Sequence, residues 1–234
     1  MSGGARRHGL IVAIDGPSGA GKSTITKRLA ERLGYLHIDT GAMFRAVALA
    51  VKRAGADPSD DDALGGICRG LNIAFLRENG CCRVLANGED VTDVIRTPEI
   101  SLLTSAVAAR KVVRDCLLTL QRRMGEQGGV ILEGRDIGTV VFPDAEVKFF
   151  LTASAEERGR RRWLELAAQG EPVTLDETIA DVLRRDQQDS ARDHAPLKRA
   201  DDAVDVDSTG HSIDEVTAWM EAVVRERELR SLQR

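Results

Sequence analysis

The sequence predicts an α/β fold in which helices flank a parallel sheet and a small antiparallel sheet is inserted. Short apolar runs typical of buried strands recur along the chain, and helical patterns that begin at capping residues separate them. Residues 71–95 depart from this rhythm, since short alternating runs there surround Asn79-Gly80 and Asn87-Gly88. Asn-Gly pairs are strong hairpin signals, so we expect about three antiparallel strands in this insert. The apolar runs assigned to the parallel sheet are 10–14, 129–132 and 147–151.

Length and charge narrow the function classes. The 234 residues suffice for one domain with insertions, and no apolar run approaches the ~18 residues of a membrane span. The net charge of −4 argues against a general nucleic-acid binder. Residues Met1–His8 are polar and basic, and no signal-peptide cleavage pattern follows them. The cysteines show no metal-ligand spacing, so we expect reduced thiols and a cytoplasmic protein. They are Cys68, Cys81, Cys82 and Cys116.

The first apolar run leads into a loop, 16–23, that fits the phosphate-binding pattern G-x-x-x-x-G-K-[ST] at every fixed position. Glycines let such a loop bring its backbone N–H groups to phosphate oxygens, and the following helix adds the positive end of its dipole. Lys22 is expected to reach the β- and γ-phosphates and Ser23 to ligate Mg²⁺, which predicts a nucleoside triphosphate site. The alternative is a glycine-rich turn that only joins strand to helix. The candidate ATP-binding residues are Gly16, Pro17, Ser18, Gly19, Ala20, Gly21, Lys22, Ser23 and Thr24.

The next elements follow in order. A helix with apolar positions at spacing four ends near Gly34, and a short strand, 35–38, comes after it. Asp39 to Arg45 then leads into a helix that runs to about Ala54. Polar residues that follow a strand of a parallel sheet lie where α/β folds place ligands, which makes 39–45 a candidate binding segment.

Capping residues predict the remaining helices. Ser59 with Asp62 indicates a helix start, Pro98 opens another helix, and a break near Arg110 separates it from the next. Capping boxes are predicted at Ser154 with Glu157, at Thr174 with Glu177, and at Ser212 with Glu215. The last short strand is 203–206, and 225–234 is expected to be a frayed helix end. The closing helix should turn Val216, Trp219, Met220 and Val223 inward.

A phosphate loop alone does not separate a kinase from a switch or a motor. No N-K-x-D motif for guanine recognition is present, whereas arginines recur in loops and helix ends beyond the loop. Phosphoryl transfer needs positive charge around the transferred group, which arginines can supply. Each could instead be a solvated surface residue, and the cluster at 158–162 could serve only to solvate a helix face. The candidates are Arg45, Arg114, Arg135, Arg185 and Arg192, with Arg158 and Arg162 on a helix that could close over ATP.

Oxygen ligands for Mg²⁺ are also available. Besides Ser23, Glu133 ends an apolar strand, where its carboxylate could hold a metal-bound water. Asp15 is the second candidate for that role. Alternatively, the Asp15 carboxylate makes only a structural hydrogen bond to the loop backbone.

Five segments together carry a resemblance to one family: 14–23, 39–45, 95–97, 134–145 and 185–192. The fourth contains G-R-D-x-G-T-V-V-F-P, which is not a general feature of phosphate-loop proteins. Across residues 9 to 225 the chain resembles the bacterial cytidylate kinases, and the antiparallel insert fits them too. It departs from them at Phe44, where the family often has Tyr.

The resemblance implies transfer of the ATP γ-phosphate to CMP or dCMP in pyrimidine nucleotide metabolism, with Mg²⁺ as cofactor. Cytosine would be read by Ser105, Arg114 and Asp136. The monophosphate would be held by Thr40, Arg45, Arg135 and Arg192. Arg185 and Asp189 would contact the sugar and its neighbourhood. A helical lid with Arg158 and Arg162 would close on ATP and exclude water. The residues acting on the transferred phosphate would be Lys22, Arg135, Arg158, Arg162, Arg185 and Arg192.

The resemblance also suggests how a single, monomeric kinase unit is organised. Its core would comprise 9–58, 126–153 and 200–225, its monophosphate-binding part 59–125, and its lid region 154–190. Two alternatives stay open from the residues. One is a kinase of the same fold that phosphorylates UMP or a small metabolite alcohol. The other is a nucleotide-responsive binding protein without turnover, although such a protein would not need the second set of arginines.

Overall fold

The computed structural model describes residues 9–78, 81–168 and 170–233. The chain divides into two compact units: the first comprises Met1–His37 and Gln127–Arg234, and the second Ile38–Glu126. Two expectations lie outside the described residues, namely the polar segment Met1–His8 and the turn at Asn79-Gly80. The functional division into core, monophosphate-binding part and lid stays a prediction.

In chain order, the strands are β1 (Ile11–Asp15), β2 (Leu36–Asp39), β3 (Ile73–Glu78), β4 (Cys81–Ala86), β5 (Glu89–Asp90), β6 (Val130–Gly134), β7 (Val147–Thr152) and β8 (Val204–Asp207). The α-helices are α1 (Lys22–Leu33), α2 (Thr40–Ala54), α3 (Asp61–Gly70), α4 (Pro98–Ala108), α5 (Lys111–Gly125), α6 (Ala155–Ala168), α7 (Leu175–Ser190) and α8 (Ile213–Leu232). A π-helical turn, Ile137–Val141, follows β6.

The predicted α/β fold with an antiparallel insert is confirmed. The larger sheet has the strand order β2-β6-β1-β7-β8, and the pairs β1–β6, β1–β7 and β7–β8 are parallel. In register, Ile14 lies opposite Glu133 and Asp15 opposite Gly134. Because the phosphate loop follows β1 directly, it starts at the same edge of the sheet at which Glu133 and Gly134 end β6.

The core of the first unit forms around β1, which is buried along its whole length. Phe149 of β7, Leu29 of α1 and Met220 of α8 are fully buried in this cluster. The prediction that Trp219 turns inward is wrong, since its exposed fraction is 47%. Val224 takes a buried position on α8 instead, one helical turn after Met220.

The second unit contains α2 to α5, which pack on one another, and the antiparallel sheet, whose order is β3-β4-β5. At the β4–β5 turn, Asn87 and Gly88 have φ of 51° and 84°. Both residues are therefore left-handed, as a two-residue hairpin requires. The predicted hairpin is confirmed at this turn.

Two predicted helix starts need correction. Asp60, not Ser59, caps α3, because its side chain accepts from the backbone N–H of Asp62 and Ala63. The Ser59 hydroxyl instead donates to Asp57 at 2.7 Å. At α6 only half of the capping box forms: Ser154 Oγ accepts from the Glu157 N–H, while the Glu157 carboxylate pairs with Arg160 and Arg161. The boxes at Thr174 with Glu177 and at Ser212 with Glu215 are confirmed.

The C-terminal helix continues further than expected. Rather than fraying from Arg225, α8 is helical through Leu232, and Arg230 forms an ion pair with Glu226 one turn earlier. Opposite charges at this spacing stabilise an exposed helix end. Within the described ranges, no helix combines the length and the apolar character that crossing a membrane would require.

Candidate active site

The phosphate loop takes the shape that its glycines allow. Gly19 and Gly21 have φ of 78° and 86°, in the left-handed region that favours glycine. A Cβ at Gly16 would lie 1.9 Å from the carbonyl oxygen of Leu151 in β7. Only a glycine can therefore pass this close to the neighbouring strand, and α1 begins directly after Gly21.

Lys22, the first residue of α1, folds back over the loop. Its Nζ donates to the carbonyl oxygens of Gly16 at 2.8 Å and Pro17 at 2.6 Å. Burial lowers the pKa of Lys22 to about 7, and the nearby charge of Arg135 acts in the same direction. Without nucleotide the Lys22 amine is therefore partly neutral near pH 7, and anionic groups that bind beside it favour its charged form.

This lowered pKa predicts that nucleotide binding takes up a proton. A bound triphosphate stabilises the ammonium and raises its pKa, so binding is tightest below pH 7 and weakens as the pH rises above it. The weakening can reach about tenfold per pH unit, until the pH passes the raised pKa of the complex. Calorimetry at pH 8 in buffers of different ionisation enthalpy measures the uptake. Lys22→Arg should lack it, because guanidinium does not titrate there; equal uptake by that variant would contradict the prediction.

A hydroxyl, a carboxylate and an imidazole meet beside the loop. Ser23 Oγ donates to Glu133 Oε2 at 3.0 Å, and His37 Nε2 lies 2.8 Å from Glu133 Oε1. The Glu133 side chain is only 4% exposed. In the described ranges no cluster of three or more His, Cys, Asp or Glu residues could hold a metal by itself. One hydroxyl and one carboxylate fit Mg²⁺, which takes few protein ligands and completes its shell with phosphates and water.

Asp15 has a structural role in this arrangement. Its two carboxylate oxygens accept from the backbone N–H of Ile137 at 2.8 Å and of Gly138 at 2.7 Å. Burial raises its pKa to about 6, although these two hydrogen bonds oppose the rise. Of its two predicted alternatives, the structural one is therefore present, but its acceptor bonds go to the π-helical turn rather than to the phosphate loop.

Asp189, near the end of α7, holds two of the candidate arginines. Arg135 Nε donates to its Oδ2 at 2.7 Å, and Arg192 forms an ion pair with its other oxygen. Burial would raise the pKa of Asp189, but the charges of Arg135 and Arg192 outweigh it, so this pKa lies below its ordinary value. The charge of Arg185 acts in the same direction. The first unit therefore gathers the three arginines around one ionised carboxylate.

The arginines of α6 differ in their surroundings. Arg158 is buried, where its Nε donates to the Ala153 carbonyl at 2.8 Å and its Nη1 pairs with Asp186 at 2.6 Å. The same nitrogen lies 3.2 Å from the carbonyl oxygen of Ser18 in the phosphate loop. Arg162 instead pairs with Glu165 on its own helix. Arg158 thus contacts the loop, and the role of Arg162 in a lid stays a prediction.

Sequence reasoning missed Arg161. This side chain donates to the hydroxyl and the carbonyl of Ser208 at 3.1 and 3.0 Å. The Ser208 hydroxyl is in turn 3.2 Å from the Ala20 carbonyl of the phosphate loop. The run of four basic residues hid this contact, because helical periodicity alone does not show which of them faces the loop.

In the second unit, the start of α2 positions Arg45. Asp39 caps the helix by accepting from the Ala42 N–H at 2.9 Å, and its second oxygen accepts from Arg45 Nη2 at 2.7 Å. Thr40, the first residue of α2, is buried. The sequence predicted Asp39 only as part of the binding segment 39–45, although a carboxylate that caps a helix six residues before an arginine is a recognisable pattern.

Arg114 on α5 stacks on the ring of Phe44, with its guanidinium carbon 5.4 Å from the ring centre. Its Nη1 also donates to the Ala108 carbonyl at 3.2 Å. Such a cation–π contact orients the guanidinium, and it uses the ring rather than the hydroxyl that Tyr would add. Ser105 lies half-buried on α4. The structure thus brings Phe44 and Arg114 together, which the sequence did not predict.

Comparison with known proteins identifies close relatives. A family model described as cytidylate kinase matches residues 12–226. The cytidylate kinase of Geobacter sulfurreducens is 75% identical over 224 residues, which cover 96% of each chain. That of Citrifermentans bemidjiense is 68% identical over 222 residues, which cover 95% of each chain.

A solved structure of an uncharacterized protein from Eubacterium ventriosum resembles the chain with a TM-score of 0.52. The two share 12% sequence identity, and the match covers 93% of this chain and 98% of that one. At this identity the likeness concerns the fold alone.

Proposed function

Since the chain belongs to the cytidylate kinase family, we propose that it transfers the γ-phosphate of ATP to CMP and dCMP. The products would be CDP and dCDP, within pyrimidine nucleotide metabolism. One observation carries the proposal: a buried lysine in a phosphate loop, Lys22, shares a unit with the arginine cluster around Asp189. A protein that only senses ATP needs the first feature and not the second.

On the donor side, the phosphate loop binds the triphosphate. Its backbone N–H groups and the N-terminus of α1 attract the phosphate oxygens. When nucleotide binds, Lys22 exchanges the carbonyl oxygens of Gly16 and Pro17 for phosphate oxygens, which are anionic and stabilise the ammonium more strongly. This exchange fixes the donor phosphates before transfer.

Ser23 and Glu133 are the residues that would hold Mg²⁺, the hydroxyl directly and the carboxylate through a water. Their oxygen atoms lie 3.0 Å apart, which suits hard oxygen ligation at one place. When bound, the ion neutralises charge on the β- and γ-phosphates.

On the acceptor side, arginines provide the positive charge. In the first unit Arg135, Arg185 and Arg192 would bind the accepting phosphate and stabilise the negative charge that develops during transfer. Thr40 and Arg45, which belong to the second unit, stay candidate ligands of the monophosphate, as the family resemblance implies. The transfer would be in-line, and it needs no general base because the attacking phosphate oxygen is already ionised at neutral pH.

The first experiment is an ADP-release assay with ATP, Mg²⁺ and a panel of acceptors: CMP, dCMP, UMP, AMP and GMP. Turnover with CMP and dCMP alone is the expected result. Equal turnover with UMP or AMP would support kinase activity but contradict a preference for cytosine. Without turnover on any of them, the chain would act on another acceptor or bind nucleotide without reaction.

The cytosine assignment of Ser105, Arg114 and Asp136 gives a second prediction. Asp136→Ala removes a buried carboxylate that would accept from the cytosine amine, which should raise KM for CMP about 30-fold. KM for ATP should change little, because the phosphate loop is untouched. An equal loss for both substrates would contradict a base-reading role. Asp144→Ala is a control, since this carboxylate is exposed in a turn after the same segment.

We also propose that the enzyme is a monomer of the cytoplasm. Sedimentation equilibrium at several protein concentrations tests the monomer, and fractionation of cells tests the compartment. A concentration-independent dimer mass would overturn the first proposal.

A further inference from the structure

His37 lies next to the proposed metal ligands, and the proposed mechanism gives this side chain no role. It lies on β2, which neighbours β6 in the sheet, and its Nε2 is 2.8 Å from Glu133 Oε1. The imidazole is 12% exposed and the carboxylate 4% exposed. The contact is a hydrogen bond from the imidazole to the carboxylate in the tautomer that carries its hydrogen on Nε2.

The other carboxylate oxygen of Glu133 faces Ser23, whose hydroxyl lies 3.0 Å away. One oxygen of the carboxylate therefore contacts the imidazole, and the other contacts the hydroxyl. The terminal torsion of a glutamate is broad, so nothing in the side chain itself fixes this orientation. Donors outside the side chain hold it, namely the Ser23 hydroxyl at one oxygen and the His37 imidazole at the other.

We propose that His37 is a positioning residue that orients the Glu133 carboxylate toward the metal bound at Ser23. This inference rests on the proposed Mg²⁺ site. Partners that hydrogen-bond metal-binding groups fix their geometry, and their loss commonly weakens metal binding about 10- to 100-fold.

The charge of Lys22 acts on the same carboxylate. Glu133 is close enough to Lys22 for its charge to favour the ammonium form. A direct ion pair with that ammonium would compete with the contacts that Glu133 makes to Ser23 and His37. Such a pair would remove both groups from the nucleotide, so the imidazole keeps the carboxylate available for the metal.

A purely structural role is the competing explanation, since the same contact also links β2 to β6. The two roles differ in what a substitution changes. A structural link should affect folding stability and metal-free nucleotide binding, whereas positioning should affect metal binding while nucleotide binding without metal stays the same.

The test measures Mn²⁺ binding to the ADP complex by electron paramagnetic resonance, and ADP binding in the presence of EDTA by calorimetry. His37→Leu should weaken Mn²⁺ binding about tenfold and leave metal-free ADP binding unchanged. His37→Gln, whose amide nitrogen can take the place of Nε2, should restore most of the affinity. His37→Asn is too short to reach Glu133 and should resemble His37→Leu.

Wild-type Mn²⁺ affinity in both His37→Leu and His37→Asn would overturn the proposal. So would an equal loss of metal-free ADP binding. If His37→Leu does not fold, the comparison of the Gln and Asn variants decides in the same way. Neither measurement uses CMP or turnover, so a failure here is distinct from a failure of the proposed acceptor.

Discussion

Replacing Lys22 by Met is expected to lower kcat/KM for phosphoryl transfer by about 10³-fold or more. Met keeps the length and apolar stem of the side chain, but it removes the buried charge that lies over Gly16 and Pro17. Charge stabilisation inside a dry site is worth far more than in water, and the transferred group gains its stabilisation from such charges. Steady-state kinetics with ATP and CMP measure the loss.

The matched control is Lys27→Met on the same helix, because Lys27 is exposed. It should leave kcat/KM within about twofold of wild type, as surface substitutions generally do. Thermal unfolding of both variants separates a catalytic loss from a folding defect. Retention of a tenth or more of the activity by folded Lys22→Met would show that the phosphate loop does not hold the donor phosphates as proposed.

The fold could be predicted because its signals are local. The buried strand before the phosphate loop, the Asn87-Gly88 turn and the capping boxes at Thr174 and Ser212 each depend on residues within a few positions. Where local signals competed, the prediction was wrong. Asp57 accepts a hydrogen bond from the Ser59 hydroxyl, and Asp60 caps α3 instead of Ser59.

The failure at Trp219 has another cause. Helical spacing places Val216, Trp219, Met220 and Val223 within one broad apolar stripe, and the pattern cannot tell which edge of that stripe faces solvent. Packing against α1 decides it. Val216 and Met220 enter the core together with Val224, and Trp219 remains half exposed.

Much of the candidate site depends on contacts between distant segments, which no local signal contains. The contact of His37 with Glu133 joins residues 96 positions apart, and that of Ser23 with Glu133 joins residues 110 apart. The lowered pKa of Lys22 arises from burial by the folded chain. The sequence identifies the chemical groups. The pairing of the carboxylate with the imidazole is visible only once β2 and β6 lie side by side in the folded sheet.

The contacts of Asp189 also join distant segments, and its replacement gives the second large loss of activity that we expect. The resemblance assigns Asp189 to the sugar and its neighbourhood, and in the structure its carboxylate contacts Arg135 and Arg192. Asp189→Ala would leave these guanidinium groups without their shared anchor and mutually repelling. Misplacement of such groups by about 1 Å can cost 10²-fold, so we expect kcat/KM for CMP to fall about 10²-fold.

The acceptor used in the assay distinguishes the two roles of Asp189. If the carboxylate positions the arginines, CMP and dCMP lose activity equally, because both present the same phosphate. If it contacts only the 2′-hydroxyl, CMP loses activity and dCMP does not. Asp181→Ala is the matched control on α7, since Asp181 forms an exposed ion pair with Arg184 that should contribute little. A selective loss for CMP would return Asp189 to the sugar, and an equal loss would make it the residue that holds the arginine cluster together.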